Sequence, residues 1–235
     1  MSKLTALEAL NGVLENIGEE QVTVLTGLTG IQLIAWNKLN ESINDVCSDQ
    51  DGRWKFLESL GEITMTTGNN EYLVSALTSG SDINDEDRES FKQTDSGKNI
   101  TYLTPQEFDQ MYPKGISTDR TGYPDYFTKY ADTFVVDKQA TATQNGKTID
   151  FRYWKTPTYY STSTATGTSE IPEGFDKNVI VAIATMKVLS YLGNDEVLSY
   201  KTLVYGDGRD LEGSIDKLKR LYTSPTLKPR MTYRF

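Results

Sequence analysis

Histidine is absent from the 235 residues, and cysteine occurs once, at Cys47. Without an imidazole no Ser-His-Asp or Cys-His nucleophile can be assembled. Neither a histidine-based metal site nor a thiolate zinc cage can be built from one such chain. A lone cysteine also excludes an internal disulfide framework and suits a reducing compartment. No apolar run approaches the roughly 18 residues of a membrane span. The opening Met1-Ser2-Lys3-Leu4-Thr5 passes straight into an amphipathic pattern, without the apolar stretch of a secretory leader. Aliphatic residues are sparse: hydrophobic residues reach 37% against 24% charged, while Tyr is frequent at 14. Polar aromatics in place of aliphatics suit a protein that buries surface against partners. Carboxylate, lysine and tyrosine chemistry remain open.

Charge is present but uneven. There are 24 basic and 33 acidic residues, a net charge of −9. The last nineteen residues hold Lys217, Lys219, Arg220, Lys228, Arg230 and Arg234 and no acid, which leaves −15 for the rest. A body this acidic repels phosphate and does not coat itself in nucleic acid. The tail is its electrostatic opposite.

The length suits one large domain or one domain with an insertion. Thr5-Ala6-Leu7-Glu8 is a capping box, and Leu7, Leu10, Leu14 and Ile17 follow at spacings of 3, 4 and 3 before Gly18 stops the helix. A second helix is predicted over about 28–47, where Leu28, Ile31, Ala35, Leu39, Ile43 and Val46 keep the helical period. Ile63–Thr67 and Tyr72–Val74, separated by Gly68-Asn69-Asn70, read as a β-hairpin. Residues 79–99 are charged and read as a surface loop. Ile100–Leu103 reads as a short strand, and Thr104-Pro105 starts a short helix. Residues 114–131 read as a tyrosine-rich loop. Thr133–Val136 and Thr148–Trp154 read as strands joined through the turn signal Asn145-Gly146. The Ser/Thr-rich stretch 156–169 reads as an exposed arm, flexible in the free monomer.

Helical spacing returns at Phe175, Val179, Ala182, Met186 and Leu189, and Gly193 ends that helix. Two further helices are predicted either side of Gly206-Asp207-Gly208, and Pro225 and Pro229 leave an extended tail. The expected fold is mainly α with an inserted β region, an α+β chain. Residues 1–57 and 171–224 form one discontinuous helical bundle, 58–170 form the β-rich insert with hairpins and long loops, and 225–235 form the basic tail.

Candidate chemistry is thin. Asp82-Ile83-Asn84-Asp85-Glu86-Asp87 invites a calcium loop, but Asp87 stands where the loop needs glycine and Gln93 where it needs glutamate. The bland reading, a solvated loop, is preferred, with no metal and no cofactor. Asp207-Gly208-Arg209-Asp210 reads as a helix break and not as an acid/base pair. No phosphate-binding glycine loop is present, and no catalytic residue is assigned. The aromatic run Tyr123, Tyr126, Phe127 and Tyr130, with Tyr153, Trp154, Tyr159 and Tyr160, has too few interleaved bases for a nucleic-acid platform. Packing in the core or between subunits fits it better, with Tyr126, Phe127, Tyr130, Tyr159 and Tyr160 as the interface candidates. In the tail, Lys228, Arg230 and Arg234 supply charge, and Met231, Tyr233 and Phe235 supply apolar anchors at alternate positions. That alternation suits an extended peptide laid into a groove on a partner.

Ala6-Leu7-Glu8-Ala9-Leu10-Asn11-Gly12-Val13-Leu14-Glu15-Asn16-Ile17-Gly18-Glu19 resembles the opening of head-to-tail adaptor proteins of short-tailed bacteriophages. Trp54-Lys55-Phe56-Leu57 resembles the segment after their second helix, and Ile63–Val74, with Gly68 and Tyr72, resembles their hairpin. Ile171-Pro172-Glu173-Gly174-Phe175 and Leu192-Gly193-Asn194-Asp195 resemble their C-terminal helix pair. Residues 80–131 and the Ser/Thr-rich arm lie outside the resemblance. The resemblance implies a structural virion protein at the neck, assembled in the host cytoplasm. It implies a homo-oligomeric ring, usually a dodecamer, beneath the portal protein and above tail or nozzle proteins. Double-stranded DNA would pass through its channel without specific binding, and no membrane is involved. The tail residues would then dock on the portal or a neighbouring subunit. Two alternatives share the composition: another neck, tail or baseplate part, or a carbohydrate-binding or carboxylate-based glycosidase protein, which needs two carboxylates at a set separation in one cleft.

Overall fold

The computed structural model describes residues 3–49, 53–77, 82–208 and 211–223. It is an α+β chain. Its elements are α1 (Ala6–Asn16), α2 (Gly30–Ser48), β1 (Glu58–Thr64), β2 (Glu71–Leu73), β3 (Ile83–Gln93), β4 (Thr101–Tyr102), α3 (Pro105–Met111), β5 (Tyr126–Tyr130), β6 (Thr133–Val136), β7 (Thr148–Lys155), α4 (Ala182–Leu192), α5 (Val197–Tyr205) and α6 (Ser214–Tyr222). They divide into two compact units: a helical one, from residues up to Leu57 and from Pro157 on, and a β one, Glu58–Thr156.

In the helical unit, local signals place the elements. The Thr5 hydroxyl accepts from the Glu8 N–H at 3.3 Å, and the Glu8 carboxylate accepts from the Thr5 N–H at 2.8 Å, so two orphan donors of α1 are satisfied. The opposite face of α1 buries Ala6, Ala9, Leu10, Val13 and Leu14. Helix α2 buries Ala35, Trp36, Leu39, Ile43, Val46 and Cys47. Both pack on α4, which also meets α5. Gly193 ends α4 at φ +69°, a conformation that costs a residue with a Cβ but not glycine. The fourth helix starts later than its apolar spacing predicts. A π-helical turn, Asp176–Val181, precedes it, and the buried Asp176 carboxylate accepts from the Leu4 N–H at 2.6 Å. That carboxylate fastens the chain's N-terminal stretch to the turn.

Two asparagines grip backbone. The Asn11 side chain accepts from the Val22 N–H at 2.8 Å and donates to the Val22 carbonyl at 2.9 Å. Asn40 does the same to Tyr160, at 2.9 and 3.3 Å. The Ser/Thr-rich stretch therefore lies in the helical unit, whereas sequence reading put it at the end of the β insert as a loose arm. Further along it, Thr5 and Thr168 form a β-bridge, and Lys3 donates to the Ser169 carbonyl at 2.9 Å. Its own side chains offer little apolar surface, so backbone bonds to the helices and the N-terminal stretch hold it.

The β unit departs from the local reading. Strand order is β1-β7-β3 in one sheet, antiparallel throughout, and β2-β6-β5-β4 in the other, with β4 parallel to β5. The turn at Gly68 is real, with φ +76°, but β1 and β2 do not pair as a hairpin. β1 pairs with β7, Ile63 opposite Ile149, and β2 pairs with β6, Tyr72 opposite Phe134. Asn145-Gly146 likewise lies between strands of different sheets. The turns reverse the chain, and long-range burial of alternate side chains chooses the partners. Residues 83–93, expected in a loop, form the longest strand, β3. Part of the expected tyrosine-rich loop is β5. Phe91, Phe127, Phe134, Phe151 and Tyr153, with Ile63, Ile100 and Ile149, make the core.

Candidate assembly surfaces

The acidic run that suggested a calcium loop enters β3 at Ile83, and two of its carboxylates, Asp87 and Glu86, are met by basic side chains. Arg152 on β7 meets Asp87 at 2.7 Å and Glu58 of β1 at 3.4 Å. Buried Glu86 takes Lys129 at 2.6 Å and Arg88 at 3.2 Å. Among the described residues no group of three His, Cys, Asp or Glu side chains is placed to hold a metal ion. Another buried carboxylate escaped the sequence reading. Asp137 accepts the N–H groups of Asp125 and Tyr126 at 2.9 and 3.0 Å, which fixes the entry to β5. Cys47 is buried, and burial pushes its thiol up to about 12, so it is inert. No described helix is long and apolar enough to cross a membrane.

The aromatic run does not form one platform. Phe127 is 1% exposed and stacks on Phe91 with ring centroids 4.0 Å apart. Tyr160 is 5% exposed, its ring 6.4 Å from that of Trp36, and burial pushes its phenol up to about 12. These two interface candidates are therefore corrected to core residues: each is used up by packing inside its own unit. Tyr153 and Trp154 are buried as well. Tyr126 is half-buried. Tyr130 and Tyr159 are exposed and hydrogen-bonded, the first to Asp109 and the second to Asn44 at 2.9 Å. The six docking residues Lys228, Arg230, Met231, Tyr233, Arg234 and Phe235 lie outside the described residues.

What sequence reasoning missed is the set of exposed apolar side chains on the last helices. Of fourteen exposed large hydrophobic side chains among the described residues, seven lie between Tyr191 and Leu221. Only Val204 of α5 is buried. A groove of about 530 Å³ opens between α2, α4 and α5, lined by Lys38, Met186, Lys187, Tyr191, Lys201 and Tyr205. Lys187 meets Glu41 at 2.8 Å and also Asp45, and Lys38 meets Glu41 at 2.7 Å. Hydrogen bonds from Lys187 and then Lys38 hold the Glu41 carboxyl below its ordinary range. The signal was available in sequence as apolar residues on both sides of α5, at Leu198 and Leu203, where a surface helix ordinarily carries a single apolar stripe.

The fold and surfaces define a class first: an α+β chain of two compact units, with exposed apolar side chains along its last helices and an open groove lined by lysines and tyrosines. A family model for SU10 adaptor protein matches residues 5–226. The chain belongs to that family, and so to the head-to-tail adaptor proteins of phages, which are structural proteins. Compared with curated proteins, the sequence finds no match.

Proposed function

We propose that this chain is the subunit of an adaptor ring at the phage neck, joining the portal to the tail around the channel that the genome crosses, and that it catalyses no reaction. The family match across 5–226 carries the reading. The seven exposed large hydrophobic side chains between Tyr191 and Leu221 support it, because they offer apolar surface to a partner. The charge supports it too: an acidic wall lets DNA slide past without gripping it. In this reading the N- and C-terminal helices form one bundle that carries the β insert. Tyr126, Tyr130 and Tyr159 remain contact residues toward neighbouring subunits or tail proteins. Lys228, Arg230, Met231, Tyr233, Arg234 and Phe235 dock on the portal or the next subunit.

The test is electron microscopy of the protein mixed with portal-bearing heads. Rings with an open channel at the portal are the expected outcome. Deleting 225–235 should leave the melting temperature unchanged and weaken attachment, with the intact protein's salt dependence lost in the truncated one. Protein that never joins the portal, or a deletion without effect on attachment, goes against the reading.

A further inference from the structure

Two features of the helical unit are left unused by the packing within one chain. The first is the rim of the α4–α5 groove. Tyr191 is 65% exposed and Leu198 70% exposed, and Lys201 and Tyr205 follow Leu198 along one stripe of α5. Lys201 is exposed and has no ion pair among the described residues, unlike Lys38 and Lys187, whose carboxylates come from α2. The second is a hollow of about 260 Å³ beside α1, between Glu8 and Glu15, with Gly12 and Val181 at its floor. Gly12 lacks the side chain that would fill it; a Cβ there would stand 3.4 Å from Val181. Lys177 also lines the hollow. Glu15, and beyond it Glu19 and Glu20, are exposed and have no partner among the described residues.

These features open on opposite sides of α4. Where the π-helical turn runs into α4 the chain faces α1, with Val181 at Gly12 and the Asn16 amide donating to the Thr185 hydroxyl at 3.1 Å. Ser190, in the groove, comes nine residues after Val181, about two and a half turns further and so half a turn round. One side thus carries apolar knobs with an unpaired ammonium, and the other a hollow with one free carboxylate, Glu15, beside Glu8, which is held by Thr5, and Lys177.

We infer that the hollow beside α1 of one copy receives the α4–α5 rim of the next, with Tyr191 and Leu198 as the inserted side chains and Lys201 facing Glu15. That the occupant is a second copy rests on the ring reading. The opposed placement and the matched charge come from the helical unit alone. Because the two faces differ, the association is head-to-tail, the kind that closes rings and cannot stop at a two-fold dimer.

The experiment places cysteines at both faces, Glu15→Cys and Lys201→Cys, in the full chain. Buried Cys47 stays silent. A short bis-maleimide should link the double variant into a ladder of dimers, trimers and higher species, while each single variant stays monomeric. In sedimentation, Glu15→Lys and Lys201→Glu should each weaken self-association on the order of tenfold. Their equimolar mixture should restore it, because alternating copies put the two altered faces at one junction and the two native faces at the next. If the native protein sediments as a ring but no ladder forms, the interface is wrong and the ring reading stands. Dimers from a single-cysteine variant would also overturn the interface. If the native protein neither sediments beyond a monomer nor cross-links at high concentration, both fall.

Discussion

The helical unit fills its interior mostly with leucine, isoleucine, valine and alanine, beside Trp36, Trp54 and Tyr160, whereas the β unit is built round four phenylalanines. Phe91 stacks on Phe127 at 4.0 Å and on Phe151 at 4.7 Å, and Phe134 sets its edge against Phe91 at 5.4 Å. Aliphatic packing is spread over α1, α2 and α4, so each side chain is one of many. The aromatic packing converges on few rings, each burying a large area with directional contacts. The surfaces differ in the reverse sense. Tyr191, Leu192, Leu198, Leu203, Tyr205, Leu211 and Leu221 lie exposed in the helical unit, while the outer face of β7 carries Thr148, Asp150 and Arg152. Of the fourteen exposed large hydrophobic side chains among the described residues, ten lie in the unit with the distributed core and four, Leu60, Leu73, Met111 and Tyr130, in the β unit.

The largest expected effect sharpens this contrast. Phe91→Ala removes the ring that touches three others and should cost about 3–5 kcal/mol in denaturant unfolding. The near-ultraviolet signal of the β unit should melt early while Cys47 stays protected from thiol reagents. Loss of Cys47 protection in the same transition would show that the units do not unfold separately. A smaller effect is expected at Gly61, where an added Cβ would fall 2.5 Å from Cζ of Phe151. Gly61→Ala should cost about 1–3 kcal/mol by overpacking. Full retention of stability would mean that the phenyl cluster is looser than the aliphatic core.

The smallest effect is in pH. Hydrogen bonds from Lys187 and Lys38 lower the Glu41 carboxyl, and hydrogen bonds from Lys138 and Lys98 lower that of Asp125. A carboxyl lowered in the folded state adds stability above its unfolded pKa and loses it as pH falls through the folded one. Acid should therefore weaken both units from about pH 4.5 downward. Each pair is partly exposed, so each contributes no more than about 1 kcal/mol. Glu41→Gln should flatten the acid limb of Cys47 labelling, and Asp125→Asn that of the near-ultraviolet signal. Crossed effects would break the separation.

Legibility followed the range of the interactions. The capping box at Thr5 was readable because its partner lies three residues away; at Thr104 the proline marked the helix start, and the structure adds a second box with Glu107. The glycine that ends α4 was readable too. The sheets were not, because Ile63 and its partner Ile149 are 86 residues apart, and nothing local to Gly68 or Gly146 says that the flanking strands go to different sheets. Strand β3 hid behind its charge: Asp87 is tolerated because Arg152 stands opposite on β7. Of the interface candidates, Phe127 and Tyr160 failed because an aromatic run does not reveal which ring turns inward. The exposed apolar residues of α5 went unread although Leu198 and Leu203 were there to see, and the groove beside them needed α2 and α4 in place.

The grip of Asn40 on Tyr160 also settles a question of phase. The stretch Ser161-Thr162-Ser163-Thr164-Ala165-Thr166-Gly167-Thr168-Ser169 is nearly self-similar, so a shift by one or two residues would exchange one small hydroxyl for another at little cost. Such a strip has no graduations of its own. Tyr160 is its index mark: the ring seats beside Trp36, and the amide of Asn40 latches that one peptide unit in both directions. Slippage would bring Ser161 or Tyr159 to the latch and leave the ring's seat empty or wrongly filled. With the mark engaged, every later residue is counted out from it, and Thr168 arrives opposite Thr5.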